Sequence, residues 1–442
     1  MAIVSRRSIV ALQHRNFRLI WIGLLVSMTG STMQNAALLW HVSLLVRPER
    51  KGLALGIVGL VKFVPIVALS IVSGVVADAW NRRRLMLFTQ TASALVSVAL
   101  AGLAFRGASS VWPVYALAGL GAAVGAFDLP ARHSLVPTLV PREHLPNAIS
   151  LNTIMFQAAS VIGPSIGGLL ISAKNVGWAY AANAASFAVV IVALLMMRDM
   201  PARAPSEDGS RDDVSWHAAL EGLRFVFRSP LIRSTMLLDF FATFFSSATA
   251  LLPIFAQDIL RVGARGYGWL YAAPSVGALI TSAALVPLAE RIERRGPTLL
   301  WAVAGFGLAT IVFGLSRSFW LTFGCLAITG ATDTMSMVIR NIVRQLETPD
   351  RLRGRMTGVN MVFFMGGPQL GELEAGVVAN WLGATFSVVS GGVGCLIATG
   401  WVAASTPALR HYRSLRSTNR KYGSAMAESA AAVPNAVEKP NR

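Results

Sequence analysis

The sequence predicts an all-α membrane protein with twelve transmembrane helices arranged as two pseudo-symmetric six-helix bundles. Hydrophobic residues make up 54% of the 442 residues and charged residues only 14%, whereas soluble domains carry about 25% charged residues. Apolar runs of about 20 residues, each long enough to cross a bilayer core, recur along most of the chain. Short motifs also repeat in the same order in the two halves, which predicts two related bundles.

Each apolar run should be a helix, because lipid offers no hydrogen-bond partners and the backbone must satisfy itself internally. Runs longer than a bilayer thickness can tilt or protrude. We therefore predict helices at residues 18–46, 53–77, 84–105, 111–131, 146–172, 176–197, 232–257, 266–289, 297–316, 319–340, 355–380 and 383–404.

The charges orient these helices. The net charge of +18 would suit a nucleic-acid partner, but most Lys and Arg residues fall in the segments on the side of both termini. This positive-inside bias predicts cytoplasmic termini and argues against nucleic-acid binding. The predicted organisation is a cytoplasmic N-terminus, an N-terminal bundle, a polar cytoplasmic linker, a C-terminal bundle and a basic, partly disordered cytoplasmic tail, at residues 1–17, 18–197, 198–231, 232–404 and 405–442.

Helix 1 and helix 2 carry polar residues inside apolar spans. Gln34 and Asn35 on helix 1 could satisfy amides on other helices or bind a solute. Lys62 lies in the interior of helix 2 at a depth that matches Glu372 on helix 11. Charged groups within a span are costly and usually functional. We therefore expect a Lys62–Glu372 ion pair in one gate state; snorkelling of Lys62 to the headgroups is the alternative.

The turn between helices 2 and 3 combines a glycine, an acid and a basic cluster. Gly74 allows close backbone approach, Asp78 falls where the span ends, and Arg82, Arg83 and Arg84 mark the cytoplasmic side. A solvated loop is one interpretation. The other is a gate latch, in which Asp78 accepts hydrogen bonds from the positive start of helix 11.

Helices 4 and 10 each place an acid near their predicted inner end. Asp128 precedes Arg132 by four residues and Asp333 precedes Arg340 by seven. We expect these to be structural charge pairs.

Helix 5 contains small residues and a proline at Gly163, Pro164, Gly167 and Gly168. Small residues four apart allow close helix packing, and proline bends a helix. Residues 367–372 of helix 11 repeat this pattern. We expect the helix 5 motif to take part in packing and gating.

Helices 7 and 11 offer two further acids, Asp239 and Glu374. A buried carboxylate can exchange a proton near neutral pH. We expect Asp239 or Glu374, like Glu372, to bind a proton or a cationic solute.

The turn at residues 74–84 resembles the loop between helices 2 and 3 of major facilitator superfamily transporters. The chain as a whole resembles the superfamily branch that includes enterobactin exporters and macrolide-efflux-like proteins. Besides the turn, the residues that carry this resemblance are 14–19, 128–132, 140–143 and 145–148.

The resemblance implies a fold and a function. It implies the major facilitator fold, with a solute site between the two bundles. The helix 5 motif resembles the antiporter signature of exporters in the superfamily, although Ala159 replaces its first glycine. Many proton-coupled exporters carry an arginine on helix 4 where this chain has Tyr115, so a relay built on that arginine is not expected.

The sequence lacks the motifs of several other functional classes. We find no phosphate-binding loop, no nucleophile elbow and no Cys/His cluster with metal-ligand spacing. We expect no enzyme activity, no cofactor and no metal. The expected function is proton-coupled export of a small organic molecule (a siderophore, drug or metabolite) by alternating access in the bacterial inner (plasma) membrane, with the lipid bilayer, the solute and a proton as partners. An importer and a membrane sensor without flux remain as alternatives.

Overall fold

The computed structural model describes residues 6–107, 109–198, 223–245, 248–288, 292–349 and 352–413. Within these residues the chain forms twelve long helices, named α1 to α12 in chain order. They are Arg15–Leu45, Lys51–Ala79, Arg82–Phe105, Trp112–Leu135, Leu145–Ala173, Val176–Met196, Pro230–Phe245, Gly263–Leu288, Arg295–Leu315, Phe319–Glu347, Arg353–Leu382 and Ala384–Ser405.

Ten helical segments of the described chain are long and apolar enough to cross a membrane. They correspond to every long helix except α1 and α11, which have 31 and 30 residues. These two helices carry the amides and acids expected to face the interior. Their polar content explains why composition alone marks them less clearly than their neighbours.

The described bounds of helices 7 and 10 compare differently with the predicted ones. Helix 7 was expected at residues 232–257, and the described residues form α7 at Pro230–Phe245, a 3-10 turn at Ala248–Leu251 and a π-helical turn at Phe255–Ile259. The segment Pro230–Ile259 is long and apolar enough to cross a membrane as one span. Helix 10 was expected to end at residue 340, but α10 continues to Glu347. Apolar periodicity misses this extension, because the hydrophobic run ends before the α10 backbone does.

The two halves pack in the same way. In the first half, α1 contacts α5 and α6, α3 contacts α4 and α6, and α2 contacts α4. In the second half, α7 contacts α11 and α12, α9 contacts α10 and α12, and α8 contacts α10. The halves meet through two extensive contacts, α2 with α11 and α5 with α8. Each contact in the first half has a counterpart in the second half between the helices numbered six higher. The bundle therefore has a pseudo-two-fold axis.

Apolar cores divide the molecule into two ends. We call the end with the start of α1 and the α2–α3 turn the terminal end, and the opposite one the distal end. At the distal end a single core joins the halves; it includes Leu38 and Leu55 from the first half and Tyr267 and Val388 from the second. At the terminal end, the cores formed by the described side chains each belong to one half. Apolar packing therefore ties the halves together at the distal end.

The segment after α12 packs on the terminal end of the second half. Gly296 donates its backbone N–H to the carbonyl of Tyr412 at 3.1 Å. The Tyr412 hydroxyl donates to Glu347 Oε1 at 3.0 Å. Burial and this hydrogen bond together raise the pKa of Tyr412 to about 12. The phenol therefore stays protonated and keeps the start of α9 and the end of α10 connected.

Candidate functional site

A polar site lies where α1 and α2 approach α11. The Lys62 Nζ donates to Asn35 Oδ1 at 3.1 Å, and Asn35 is exposed although it lies inside α1. The Glu372 carboxylate lies beside α2, where a Cβ added at Gly59 would be 3.0 Å from Glu372 Oε2. Lys62 and Glu372 attract each other electrostatically. The ion pairs of the described residues, taken within 4.0 Å, do not include one between them, so the expected pair is not closed in this conformation.

Gln34 lies in a different environment from Asn35. Its Oε1 accepts hydrogen bonds from Ser97 Oγ and Asn183 Nδ2, both at 2.8 Å. These contacts join α1 to α3 and α6 inside the first half. The arrangement favours packing, one of the two roles expected for the helix 1 amides, over solute binding at Gln34.

The second half contains a buried charge cluster. Arg340 on α10 bonds Asp239 on α7 at 2.9 Å, and both side chains are at most 3% exposed. The same Nη2 lies 3.5 Å from Asp333, whose side chain is 44% exposed. One turn further along α10, Arg344 donates to Asn341 at 2.6 Å and to Asn360 on α11. Asp239 therefore does not face open space in this state but holds α7 against α10.

The first half contains a smaller counterpart. Arg132 pairs with Asp128 at 2.5 Å within α4. The Asp128 Oδ1 also accepts hydrogen bonds from Thr89 Oγ1 at 2.9 Å and Gln90 Nε2 at 2.7 Å on α3. Asp128 thus has three partners on two helices, which suits the structural role expected for it.

The position of Asp333 differs from the expected one. Because α10 runs from Phe319 to Glu347, Asp333 lies midway along it, fourteen residues from each end (319 to 333 and 333 to 347). It was expected near the inner end, on the assumption that helix 10 stops at residue 340. A position midway along the span makes its charge costlier than one near the interface.

A polar contact that the sequence did not reveal joins the halves at the distal end. The Lys51 Nζ at the start of α2 lies 3.0 and 3.1 Å from the two carboxylate oxygens of Asp258, and 2.9 Å from Gln257 Oε1. Gln257 Nε2 donates in turn to Ser43 Oγ on α1 at 2.8 Å. We call these four residues the distal latch. The two residues from the first half lie about 200 positions from the two in the second half. In the sequence, nothing distinguishes them from ordinary polar residues near helix ends.

The π-helical turn explains how the distal latch is placed. Leu260 N–H bonds the Phe255 carbonyl at 2.7 Å, one residue further back than in an α-helix. The wider turn directs Gln257 and Asp258 toward the start of α2. Such π-bulges occur often at functional sites.

Glycines on α5 and α11 allow the halves to touch. A Cβ at Gly168 would lie 2.6 Å from the Ala264 carbonyl oxygen and 2.9 Å from Gly268 Cα on α8. A Cβ at Gly376 would lie 2.6 Å from Gly56 Cα on α2. These positions require glycine, because the facing atoms belong to the backbone and cannot rotate away. Gly168 therefore lies in the contact between the halves.

Gly163 and Gly167 of the helix 5 motif pack within the first half. A Cβ at Gly163 would lie 2.1 Å from Thr32 Oγ1, and one at Gly167 would lie 2.9 Å from Met33 Cγ, both on α1. Pro164, inside α5, has its carbonyl oxygen 2.5 Å from where a Cβ at Gly268 would be. The motif thus faces α1 on one side and α8 on the other.

The basic cluster after α2 contacts the first half. Arg82 donates to the Ser134 carbonyl at 3.0 Å and Arg83 to the Leu195 carbonyl at 3.1 Å, so the two residues bind the terminal ends of α4 and α6. Arg84 is exposed. Cations at these positions complement the negative ends of the helix dipoles.

Three predicted residues have no described contact that assigns them a role. The side chain of Asp78 and the surroundings of Gly74 lie outside the described residues, as do the arginines at the start of α11. The latch expected at Asp78 therefore stays a prediction. Glu374 is half-buried and lies two positions from Glu372, which places it on another side of α11.

A pseudo-symmetric bundle of membrane-spanning helices, with charged side chains where its halves meet, defines a membrane transporter. The sequence profile of the transmembrane secretion effector family matches residues 7–431. The chain belongs to this family, which is part of the major facilitator superfamily.

Curated relatives of this chain include exporters. The enterobactin exporter EntS of Escherichia coli K12 is 27% identical over 401 residues, covering 90% of this chain and 94% of the relative. EntS of Escherichia coli O1:K1 is 27% identical over 385 residues, covering 87% and 90%. The family and branch expected from the sequence are confirmed.

Solved structures share the fold. A bacterial homologue of the human lysosomal transporter Spinster, inward-facing and unoccupied, superposes with a TM-score of 0.71 at 16% identity, covering 89% of this chain and 98% of the other. A bacterial homologue of the iron transporter ferroportin, also inward-facing, gives 0.64 at 15% identity, covering 88% and 98%. These likenesses confirm the expected twelve-helix fold.

Proposed function

We propose that this protein is a proton-coupled secondary exporter of a small organic molecule, working by alternating access in the bacterial inner membrane with both termini in the cytoplasm. The observation that supports the proposal is the asymmetry of packing among the described side chains: one apolar core joins the halves at the distal end, whereas the cores described at the terminal end each belong to a single half. A bundle joined at one end and divided at the other suits a solute path that opens at the divided end.

The orientation follows from the charges. Lys and Arg crowd the terminal end, which the positive-inside rule assigns to the cytoplasm. The conformation described would then be open inward and closed outward. The inward-facing states named for two structural neighbours support this assignment.

The solute would bind between the halves, beside Lys62, Asn35 and Glu372. Among the described residues, Lys62 donates to one amide oxygen, that of Asn35, and it can also donate to an acidic or phenolic group of a solute. Enterobactin is the first candidate because the relatives are exporters of it. The fold does not decide this, since neighbours of similar fold include transporters crystallised with 5-aminolevulinic acid and with a peptide.

Transport by the purified full-length chain in proteoliposomes tests the proposal, with enterobactin as the probe. Vesicles are acidified inside, and the inserted orientation is determined by protease accessibility of the tail. For chains whose termini face outward, we expect uptake into the vesicle that a protonophore abolishes. Uptake by the opposite orientation alone would indicate an importer, and saturable binding without flux would indicate a sensor.

No enzyme activity is part of the proposal, since the curated relatives are transporters. The described residues contain no group of three or more His, Cys, Asp or Glu placed to hold a metal ion.

A further inference from the structure

Asp128 and Asp333 differ in their surroundings. Both are carboxylates on the fourth helix of their half. Asp128 is 11% exposed and has Arg132, Thr89 and Gln90 as partners within 3 Å. Asp333 is 44% exposed and reaches a single guanidinium nitrogen at 3.5 Å. The charge of Asp128 is therefore well compensated, while that of Asp333 is held weakly.

The exposed part of Asp333 faces the interior. Gly330 packs against Pro274 of α8, and Thr332 packs against Gly305 of α9. Asp333 lies between these two contacts on the side of Arg340, which reaches α7. Ile328, on another face of α10, is 50% exposed and suits the lipid side. Protons in the space between the halves can therefore reach Asp333.

Asp333 and Asp239 compete for the same arginine, Arg340. Asp239 on α7 repels Asp333 and shares the Nη2 of Arg340 with it. Arg344 is a further charge near this cluster, and the contacts of Gly330 with Pro274 on α8 and of Thr332 with Gly305 on α9 involve uncharged residues. Arg340 is 1% exposed, and its Nε and Nη1 have no hydrogen-bond acceptor among the described residues. A buried guanidinium with unsatisfied donors is expected to gain acceptors in another state.

We propose that Asp333 is the residue that takes up and releases the coupling proton, and that Arg340 transmits the change to α7. This inference rests on the proposed function. When Asp333 is ionised, Arg340 is shared between two carboxylates. When a proton from the aqueous space binds Asp333, the attraction to Asp333 is lost and Arg340 bonds Asp239 alone. Release of the proton restores the shared arrangement, so occupancy by the proton alters the contact between α7 and α10.

The test compares Asp333→Asn with the matched variant Asp128→Asn in the proteoliposome assay, with enterobactin as the probe. Asparagine is nearly isosteric with the protonated acid. For Asp333→Asn we expect accumulation driven by a pH gradient to fall about tenfold or more, because the proton no longer biases the two states, while exchange of enterobactin at equal pH continues. Asp128→Asn should keep its response to the gradient, and Asp333→Glu should recover part of it.

Infrared titration of the purified protein gives a readout that needs no solute. A carboxyl band that grows on acidification should be lost in Asp333→Asn and kept in Asp128→Asn. Persistence of that band in Asp333→Asn would overturn the assignment. So would an undiminished gradient response in that variant while the wild type is coupled. A wild type that moves enterobactin but ignores the gradient would instead refute the proton coupling, and this inference with it.

Discussion

At the residue scale, each charge in the membrane interior has a different degree of compensation. Asp239 and Arg340 are buried as a close ion pair, and Asp128 has three partners. Lys62 donates a hydrogen bond to the side-chain amide oxygen of Asn35. The uncompensated groups are the ones that can respond to a solute, a proton or a change of state. This ordering separates structural charges from candidate functional ones.

Removal of one partner of the buried pair should destabilise the fold. Arg340→Ala leaves Asp239 charged and buried, which costs about 3–5 kcal/mol. The double variant Asp239→Leu/Arg340→Met should lose less than the single variant, because the buried charge of Asp239 is removed with its partner and the carboxylate that still loses Arg340, Asp333, is 44% exposed. Unfolding of the purified protein in detergent measures both, with exposed Arg84→Ala as a control expected within about 0.5 kcal/mol of wild type. A double variant less stable than Arg340→Ala would contradict this account.

Lys62 and Glu372 offer a second test. If they pair in the outward-open state, Lys62→Glu and Glu372→Lys should each slow transport, since like charges then face each other across the halves. The Lys62→Glu/Glu372→Lys double variant should recover a substantial part of the rate. Initial rates of enterobactin transport measure this, and a double variant no faster than either single one would argue against the pair.

At the element scale, glycine contacts set how closely the halves approach. Gly376 meets the backbone of Gly52 and Gly56, and Gly168 meets that of Gly268. The sequence indicated close packing at the helix 5 motif. It could not indicate which neighbouring helix each glycine faces. Consecutive residues of α5 point in different directions, so a small rotation of the helix changes whether a given glycine contacts α1 or α8.

Gly376→Ala should open the distal end. The added Cβ would lie 2.5 Å from the Gly52 carbonyl oxygen, and overpacking of this kind costs about 1–3 kcal/mol, which shifts a two-state equilibrium about tenfold or more. Double electron–electron resonance between spin labels on the two halves at the distal end measures the shift. Gly125→Ala, with no atom within 4 Å of its added Cβ, is the control. Identical distance distributions for both variants would exclude this role.

At the scale of the whole molecule, the proposed transport cycle requires that the distal closure can open and re-form. The distal latch is partly exposed, with side chains 11% and 48% exposed for Lys51 and Asp258. An ion pair of this kind contributes roughly 0–1 kcal/mol, so it can bias the closed state without locking it. The apolar core beneath supplies the larger share of the closure.

Reversal of the latch charges tests this. Lys51→Glu places two acids together and should raise labelling of a cysteine introduced at Asn35 by an impermeant maleimide added from the distal side. Asp258→Lys should act likewise, and the Lys51→Glu/Asp258→Lys variant should return labelling toward the wild-type level. High salt should diminish all three differences, because exposed pairs are screened. Equal labelling of the single variants and the wild type would rule out a latch.

The sequence by itself determined the helix count and the family, because apolar runs and short motifs are local properties. It also placed Asp128 with Arg132 and Asp333 with Arg340, since those pairs share a helix. It could not place Asp239 with Arg340 or Lys51 with Asp258, because these contacts join α7 to α10 and α2 to the end of helix 7.

Only the tertiary structure decided which end of the bundle has an apolar core shared by both halves and how many partners each described charge has. Both depend on the rotation and tilt of whole helices relative to one another, which hydrophobic composition leaves free. The difference between Asp128 and Asp333 is the clearest case. Both acids lie on the fourth helix of their half, but α3 supplies two hydrogen-bond donors to Asp128, whereas Asp333 lies 3.5 Å from Arg340 of its own helix.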